Sequence, residues 1–224
     1  MPRVPRRPND TPRTIEWPAG RTLWRVSKEA TATRFSTRTG RLLRFSPIVS
    51  SDLTVVPAWY GATSQAGAIF ESIFHDVRPS HQDRRIAPNQ YINRILAPVV
   101  TARSLTLVDL TTDGLHSIGI SRAALIESTA RRYGWTLGQA VLLRKAALAA
   151  DGFVWVSRAR DTAVSVVLDG NREDRGDRED RGGRGMLIPG EGPALPLGIG
   201  AGLELLRTLA EAARITIVLP DGAS

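Results

Sequence analysis

Few side chains in this sequence stand at the spacings a familiar catalytic centre needs. It has no cysteine, no CxxC, no HExxH, no phosphate-loop motif and no GxSxG. The histidines His75, His81 and His116 are not spaced as a metal site, so no metal is expected. Gly190, Gly192, Gly198, Gly200 and Gly202 lack GxGxxG spacing after a strand and read as a linker. What remains is scattered: Arg25 in Trp24-Arg25-Val26, Arg44 before Phe45, Tyr60, Glu71, and Ser157 at the end of a run starting at Asp151-Gly152. By type these are two planar cationic forks, an aromatic ring, a carboxylate and a hydroxyl.

Hydrophobic periodicity indicates what must position them. Thr22–Val26 and Leu42–Phe45 have strand composition, and Val55–Tyr60 is a third strand in which Pro57 marks an edge or a bulge. From Ser64 to Val77, Ala66, Ile69, Phe70, Ile73, Phe74 and Val77 form one apolar helical stripe. Glu71 lies roughly 130° from its centre, on the side of Gly67 and Arg78, and Gly67 leaves the surface beside it open. Tyr91–Ala97 and Ser104–Thr111 read as strands, Ser121–Tyr133 as a helix capped by Ser121, and Gly138–Ala150 as another. Phe153–Ser157 and Ala163–Leu168 read as a strand pair, Leu203–Ala213 as an amphipathic helix and Ile215–Leu219 as a strand. The expected class is α+β, with small mixed or antiparallel sheets and flanking helices.

The length of 224 residues fits one cored domain, expected over 21–224. Residues 1–20, rich in Pro and Arg, read as a flexible basic tail, and a charged, mobile insertion is expected at about 170–200, centred on the near-repeat REDRGD/REDRGG. No run approaches the roughly 18–20 apolar residues of a membrane helix, and without cysteine a reducing cytoplasm is the expected setting. The net charge is +8; residues 1–44 hold eleven Arg/Lys against three acids, and the rest of the chain balances. That basic front end attracts polyanions of any kind, whether nucleic acid, an acidic protein or a nucleotide diphosphate.

The ordered segments Trp24-Arg25-Val26, Gly40 to Pro47 with Arg44-Phe45, the alternation before Tyr60, Ile69-Phe70-Glu71 and the Asp151-Gly152 strand ending at Ser157 resemble the RES domain family. The resemblance runs from about Leu23 to Leu219. It maps the family's Arg to Arg25, its Glu to Glu71 and its Ser to Ser157, with Arg44 and Tyr60 as further candidates. It implies an ADP-ribosyltransferase-like fold and a toxin, held silent by an Xre-type antitoxin, that consumes NAD⁺ as substrate. An oligomer would form through the antitoxin complex. The charged insertion and the Pro/Arg tail depart from the family pattern.

That substrate suits these residue types. Nicotinamide in NAD⁺ is already a cationic leaving group, so cleavage needs no general acid and no well-placed histidine. A carboxylate such as Glu71 stabilises the oxocarbenium-like ribose and accepts a ribose hydroxyl hydrogen bond. Arg25 or Arg44 would grip the pyrophosphate, Tyr60 would stack on the nicotinamide ring, and Ser157 would hydrogen-bond a phosphate or a ribose. Apart from the resemblance, Glu71 reads as a solvated helix residue, Arg25 as one that snorkels or pairs, Tyr60 as core and Ser157 as a strand-end hydroxyl.

The acceptor of the ADP-ribose stays open among water, phosphate and a protein side chain, the last being ADP-ribosyl transfer. From other classes, a basic nucleic-acid-binding module would bind with steep salt dependence and survive Glu71→Gln, and an inactive scaffold would bind antitoxin without turning over NAD⁺. Direct nucleic-acid binding is not expected, because the sequence lacks the aromatic-interleaved basic sheet of a typical RNA binder.

Overall fold

The β-branched and aromatic runs pair into one large twisted sheet whose two faces carry separate cores. The computed structural model describes residues 5, 7–28, 32–37, 42–49, 55–77, 83–128, 132–170 and 185–220. In chain order these form β1 (Thr14–Trp17), β2 (Thr22–Ser27), β3 (Ile48–Val49), β4 (Val55–Val56), β5 (Ala58–Ala62), α1 (Gln65–Ser72), β6 (Arg85–Ile86), α2 (Pro88–Tyr91), β7 (Ile95–Thr101) and β8 (Leu105–Asp109). There follow α3 (Thr112–Ser117), α4 (Arg122–Leu125), α5 (Tyr133–Ala146), β9 (Gly152–Val156), β10 (Val164–Asp169), β11 (Leu187–Pro189), β12 (Leu195–Pro196), α6 (Gly200–Ala212) and β13 (Thr216–Ile217). The class is α+β, as the periodicity indicates.

The sheet runs β1-β8-β9-β10-β5-β2-β7-β11, with β12 also on β7. Within this sheet, among the described residues, only β8 and β9 pair in parallel, and their connection is the crossover that a parallel pair requires, built here from α3, α4 and α5. Arg103 grips Asp151 with two hydrogen bonds of 2.7 and 3.1 Å, and the same carboxylate accepts from the Thr106 amide, fixing where β9 enters beside β8. Strand alternation sends Phe153, Trp155 and Val167 to one face with Phe45 and the crossover helices, while Val154, Val166, Leu168 and Trp59 pack on the other. A third cluster joins α1 and α6 through Ile69, Ile73, Leu206 and Ala210.

One relationship in this sheet creates space. β5 pairs with β10 along its whole length, whereas β2 meets β5 at the single register pair Trp24↔Ala62 and continues along β7. Below that pair the two strands diverge, and Ser36 takes the place of β2 through two 2.9 Å backbone hydrogen bonds with Ala58.

Several local expectations are revised. Leu42–Phe45 is not a strand: the Leu43 amide donates to the Ser46 carbonyl in a turn that leaves Leu42 and Leu43 exposed and buries Arg44 and Phe45. Residues 14–17, within the expected tail, pair antiparallel with β8, because Ile15 and Trp17 supply apolar contacts to that sheet edge. Tyr91 closes α2, and the strand starts at Ile95. Helix α1 stops at Ser72 rather than Val77, where the Phe74 amide reaches back five residues to Ile69 and the chain turns. Ser121 does cap a helix, but only a short one, and the main helix of this region begins at Tyr133. Pro57 interrupts the chain between β4, in a two-stranded pair, and β5, in the main sheet. The charged repeat over 171–184, Arg78 and His81 lie outside the described residues.

Candidate functional site

The divergence of β2 from β5 opens a cavity of about 620 Å³. Its walls come from β2 (Trp24, Arg25, Val26), the turn at Leu43–Ser46, β5 (Ala58, Tyr60, Gly61, Ala62), α1 (Ala68, Glu71, Ser72) and Tyr133 at the start of α5. Four of the five residues singled out from sequence, Arg25, Arg44, Tyr60 and Glu71, therefore share one chamber although their positions span 47 residues of chain.

Glu71 is carried by α1. Ser64 caps that helix, accepting from the Gly67 amide at 3.0 Å, and Gly67 lets it dock: an added Cβ there would come 2.6 Å from the Ala163 Cβ. Gly67 is thus buried against the start of β10, and does not leave open surface beside Glu71 as the helical reading expects. The close approach brings Glu71 to the loop after β9. There the Ser157 hydroxyl donates to Glu71 Oε1 at 2.5 Å while accepting from the amides of Ala159 and Arg160 at 3.1 Å each. Ser157 is fully buried and stands behind the carboxylate rather than on the cavity wall. Both of its acceptor positions are occupied by amides, so its proton has one direction to go, and Glu71 is oriented by it.

Arg44 is 5% exposed, and its Nε and Nη2 have no hydrogen-bond partner among the described residues. Burial lowers its pKa from the ordinary arginine value, against the raising influence of Glu71, Tyr133 and Tyr60. A buried guanidinium with unused donors costs stability, and an anion entering the cavity would remove that cost. Trp155 Nε1 and Ser165 Oγ, on facing positions of β9 and β10 and also lining the cavity, are likewise buried without partners among the described residues.

Arg25 is braced. Its Nη1 donates to the carbonyls of Ala32 and Arg34 at 3.0 and 2.5 Å, and its guanidinium lies 5.6 Å from the Trp59 ring centroid. The Tyr60 hydroxyl pairs with Ser46 Oγ at 3.0 Å, and burial pushes its pKa up, so the ring is anchored as a neutral phenol.

One sequence expectation is corrected here: a histidine is well placed. His75, four residues after Glu71 and beyond the end of α1, lines the cavity with Nε2 3.2 Å from the Tyr133 hydroxyl and Nδ1 3.0 Å from Asp76 Oδ1. Burial lowers its pKa, against the raising influence of Asp76 and Glu71. Arg158 donates to the His75 carbonyl at 3.0 Å. The i+4 spacing from Glu71 was the available signal for His75; nothing in sequence linked it to Tyr133, 58 residues away. Of the basic residues in the first 44, Arg13 faces Asp109, Arg21 lies over Trp17, and Arg25 and Arg44 turn into the cavity.

Comparison with known proteins adds family and fold. The family model described as the RES domain matches residues 22–184. Among solved structures, a chain of the M. tuberculosis MbcT-MbcA toxin-antitoxin complex superposes with a TM-score of 0.56 at 19% identity, over 88% of this chain and 92% of that one. No curated protein matches.

Proposed function

The chain belongs to the RES domain family, and on that basis we propose that it is a toxin that binds NAD⁺ and breaks the bond between nicotinamide and ribose. The observation that carries this reading is Glu71, turned toward the cavity and oriented by Ser157, in the same chamber as the unsatisfied Arg44. The cavity volume of about 620 Å³ falls within the usual range for small-molecule sites, roughly 300–1,000 Å³.

In this reading residues 21–224 act as one catalytic domain. Arg44 holds the diphosphate with a planar charged fork, and Arg25, which lines the same cavity, adds to its positive potential. The Tyr60 ring packs on the cationic nicotinamide, an interaction worth about 0.5–2 kcal/mol. As the glycosidic bond stretches, positive charge moves onto the ribose carbon and its ring oxygen. Glu71 stabilises that charge in a cavity walled in part by apolar side chains such as Trp24, Val26 and Phe45, where a fixed carboxylate acts more strongly than in water. Ser157 does not touch substrate; it holds the carboxylate in the orientation the transition state needs.

A toxin of this kind requires restraint. The solved structural neighbour is a toxin bound to its antitoxin, and the corresponding partner here would be a cytoplasmic antitoxin of the Xre type that covers the cavity mouth.

Purified protein incubated with NAD⁺ should release free nicotinamide and ADP-ribose, and Glu71→Gln should abolish release while leaving circular dichroism unchanged. Label retained on protein in place of free ADP-ribose would assign the transfer reaction. Unchanged nicotinamide release by Glu71→Gln would reject the role given to this carboxylate.

A further inference from the structure

Glu71 accounts for the leaving side of the reaction but not for the entering side. A neutral O–H acceptor must lose a proton as it bonds to the ribose carbon, and Glu71 is engaged by Ser157 on one oxygen and assigned to the ribose on the other. A second chain of hydrogen bonds reaches the same cavity. Asp76 Oδ1 accepts only, so the 3.0 Å contact requires that His75 carry its proton on Nδ1. Nε2 is then an acceptor, and the Tyr133 hydroxyl 3.2 Å away donates to it. The tyrosine oxygen keeps its lone pairs for another donor, and Tyr133 and His75 both line the cavity with Glu71.

We infer that Tyr133, backed by His75 and Asp76, is the base that takes the proton from an O–H acceptor, water in the simplest case, when it replaces nicotinamide. This rests on the NAD⁺-cleaving reading above. The acceptor oxygen bonds to the ribose carbon as the carbon–nitrogen bond breaks and its electron pair returns to the pyridine ring, which leaves as neutral nicotinamide. The acceptor's proton passes to the Tyr133 oxygen, the tyrosine's own proton passes to His75 Nε2, and the imidazolium, held by Asp76, releases a proton to solvent. Tyr133 is the catalytic residue of this step; His75 and Asp76 act through it.

The surroundings keep the imidazole unprotonated at rest. Burial and the Arg158 guanidinium lower the pKa of His75, while Asp76 and Glu71 raise it, and the net shift is downward. The imidazole is therefore neutral and able to accept a proton at pH 7.

The test measures nicotinamide release from NAD⁺ between pH 5 and 8.5 in phosphate-free buffer, for the wild-type chain and for Tyr133→Phe, His75→Gln and Asp76→Asn. The wild type should lose kcat on the acid side with a one-proton limb below the ordinary histidine range. Tyr133→Phe and His75→Gln should lower kcat about 100-fold, a usual worth of a general base, with KM unchanged and the acid limb gone. Asp76→Asn alters a side chain that is 55% exposed, so it tests the chain even if the buried variants fail to fold; it should move the limb to lower pH. Retention of the limb in His75→Gln, kcat within threefold of wild type in both buried-site variants, or turnover only on adding inorganic phosphate would each overturn the inference while leaving NAD⁺ cleavage intact. Absence of nicotinamide release by the wild type at every pH, with or without phosphate, would overturn the cleavage reading itself.

Discussion

The hydroxyl of Ser157 and the carboxylate of Glu71, 86 residues apart in sequence, meet at 2.5 Å, and every hydrogen-bonding capacity of that hydroxyl is used in the meeting. A serine so placed works by holding another group still. Ser157→Ala should therefore lower kcat for NAD⁺ about 10- to 100-fold through a loosened carboxylate, with KM little changed. It also strands the Ala159 and Arg160 amides, so stability should fall by about 1–2 kcal/mol. Steady-state kinetics and urea unfolding measure the two effects separately; a rise in KM at constant kcat would instead indicate that Ser157 contacts substrate.

Arg44 should show stability and function pulling in opposite directions. The buried Nε and Nη2 of its guanidinium, without partners among the described residues, are a cost to the empty protein, and Arg44→Met relieves it. The variant should be as stable as wild type or more so in thermal unfolding. Its KM for NAD⁺ should rise about 10- to 100-fold, the worth of a charge-assisted hydrogen bond. A destabilised variant with unchanged KM would mean that Arg44 serves the fold.

At Gly67 two effects compete. Alanine gains about 1 kcal/mol of helix propensity, but its methyl meets the Ala163 Cβ at 2.6 Å, and overpacking of that kind costs about 1–3 kcal/mol. The clash outweighs the gain because both elements are fixed by other contacts. Gly67→Ala should be less stable by roughly 1–2 kcal/mol and should lose turnover, since α1 can only move away from Ser157. Urea midpoints and kcat check both parts.

His75 has a pH signature independent of catalysis. Its folded pKa lies below its unfolded value, so the unfolded chain binds the proton more readily. The associated stability is fully present above the unfolded value of about 6.5 and is lost as pH falls from there through the lower folded value. His75→Gln should therefore lose less stability than wild type on acidification across that window. Unfolding free energies at pH 7 and pH 5 for the two proteins, with identical differences, would contradict the assignment.

Much of the strand framework was legible because β2, β8, β9 and β10 alternate or run apolar over four or more residues. The sequence near Leu42–Phe45 misleads because its apolar residues divide between opposite fates: Leu42 and Leu43 stay exposed, Leu43 at the cavity wall, while Phe45 enters the core beside Trp155. That division needs a turn, and periodicity does not encode one. β1 was hidden by the prolines and arginines around it; its pairing depends on an edge of β8 that exists only after folding. The chamber's Arg25, Arg44, Tyr60 and Glu71 were found through ordered motifs, whereas His75, Tyr133 and Trp155 come together across elements whose contact no local pattern states.

The single Trp24↔Ala62 pair also bears on how the chamber moves. It joins two half-sheets, β1-β8-β9-β10-β5 and β2-β7-β11 with β12, and Glu71 and Arg44 sit beside the line along which they part. Rotation about that seam strains few backbone hydrogen bonds, while the interior of each half is tied by full ladders. A clamp across both halves, as α1 already provides by packing on β2 and β7 on one side and on β5 and β10 on the other, sets the width of the mouth without contacting any reacting atom.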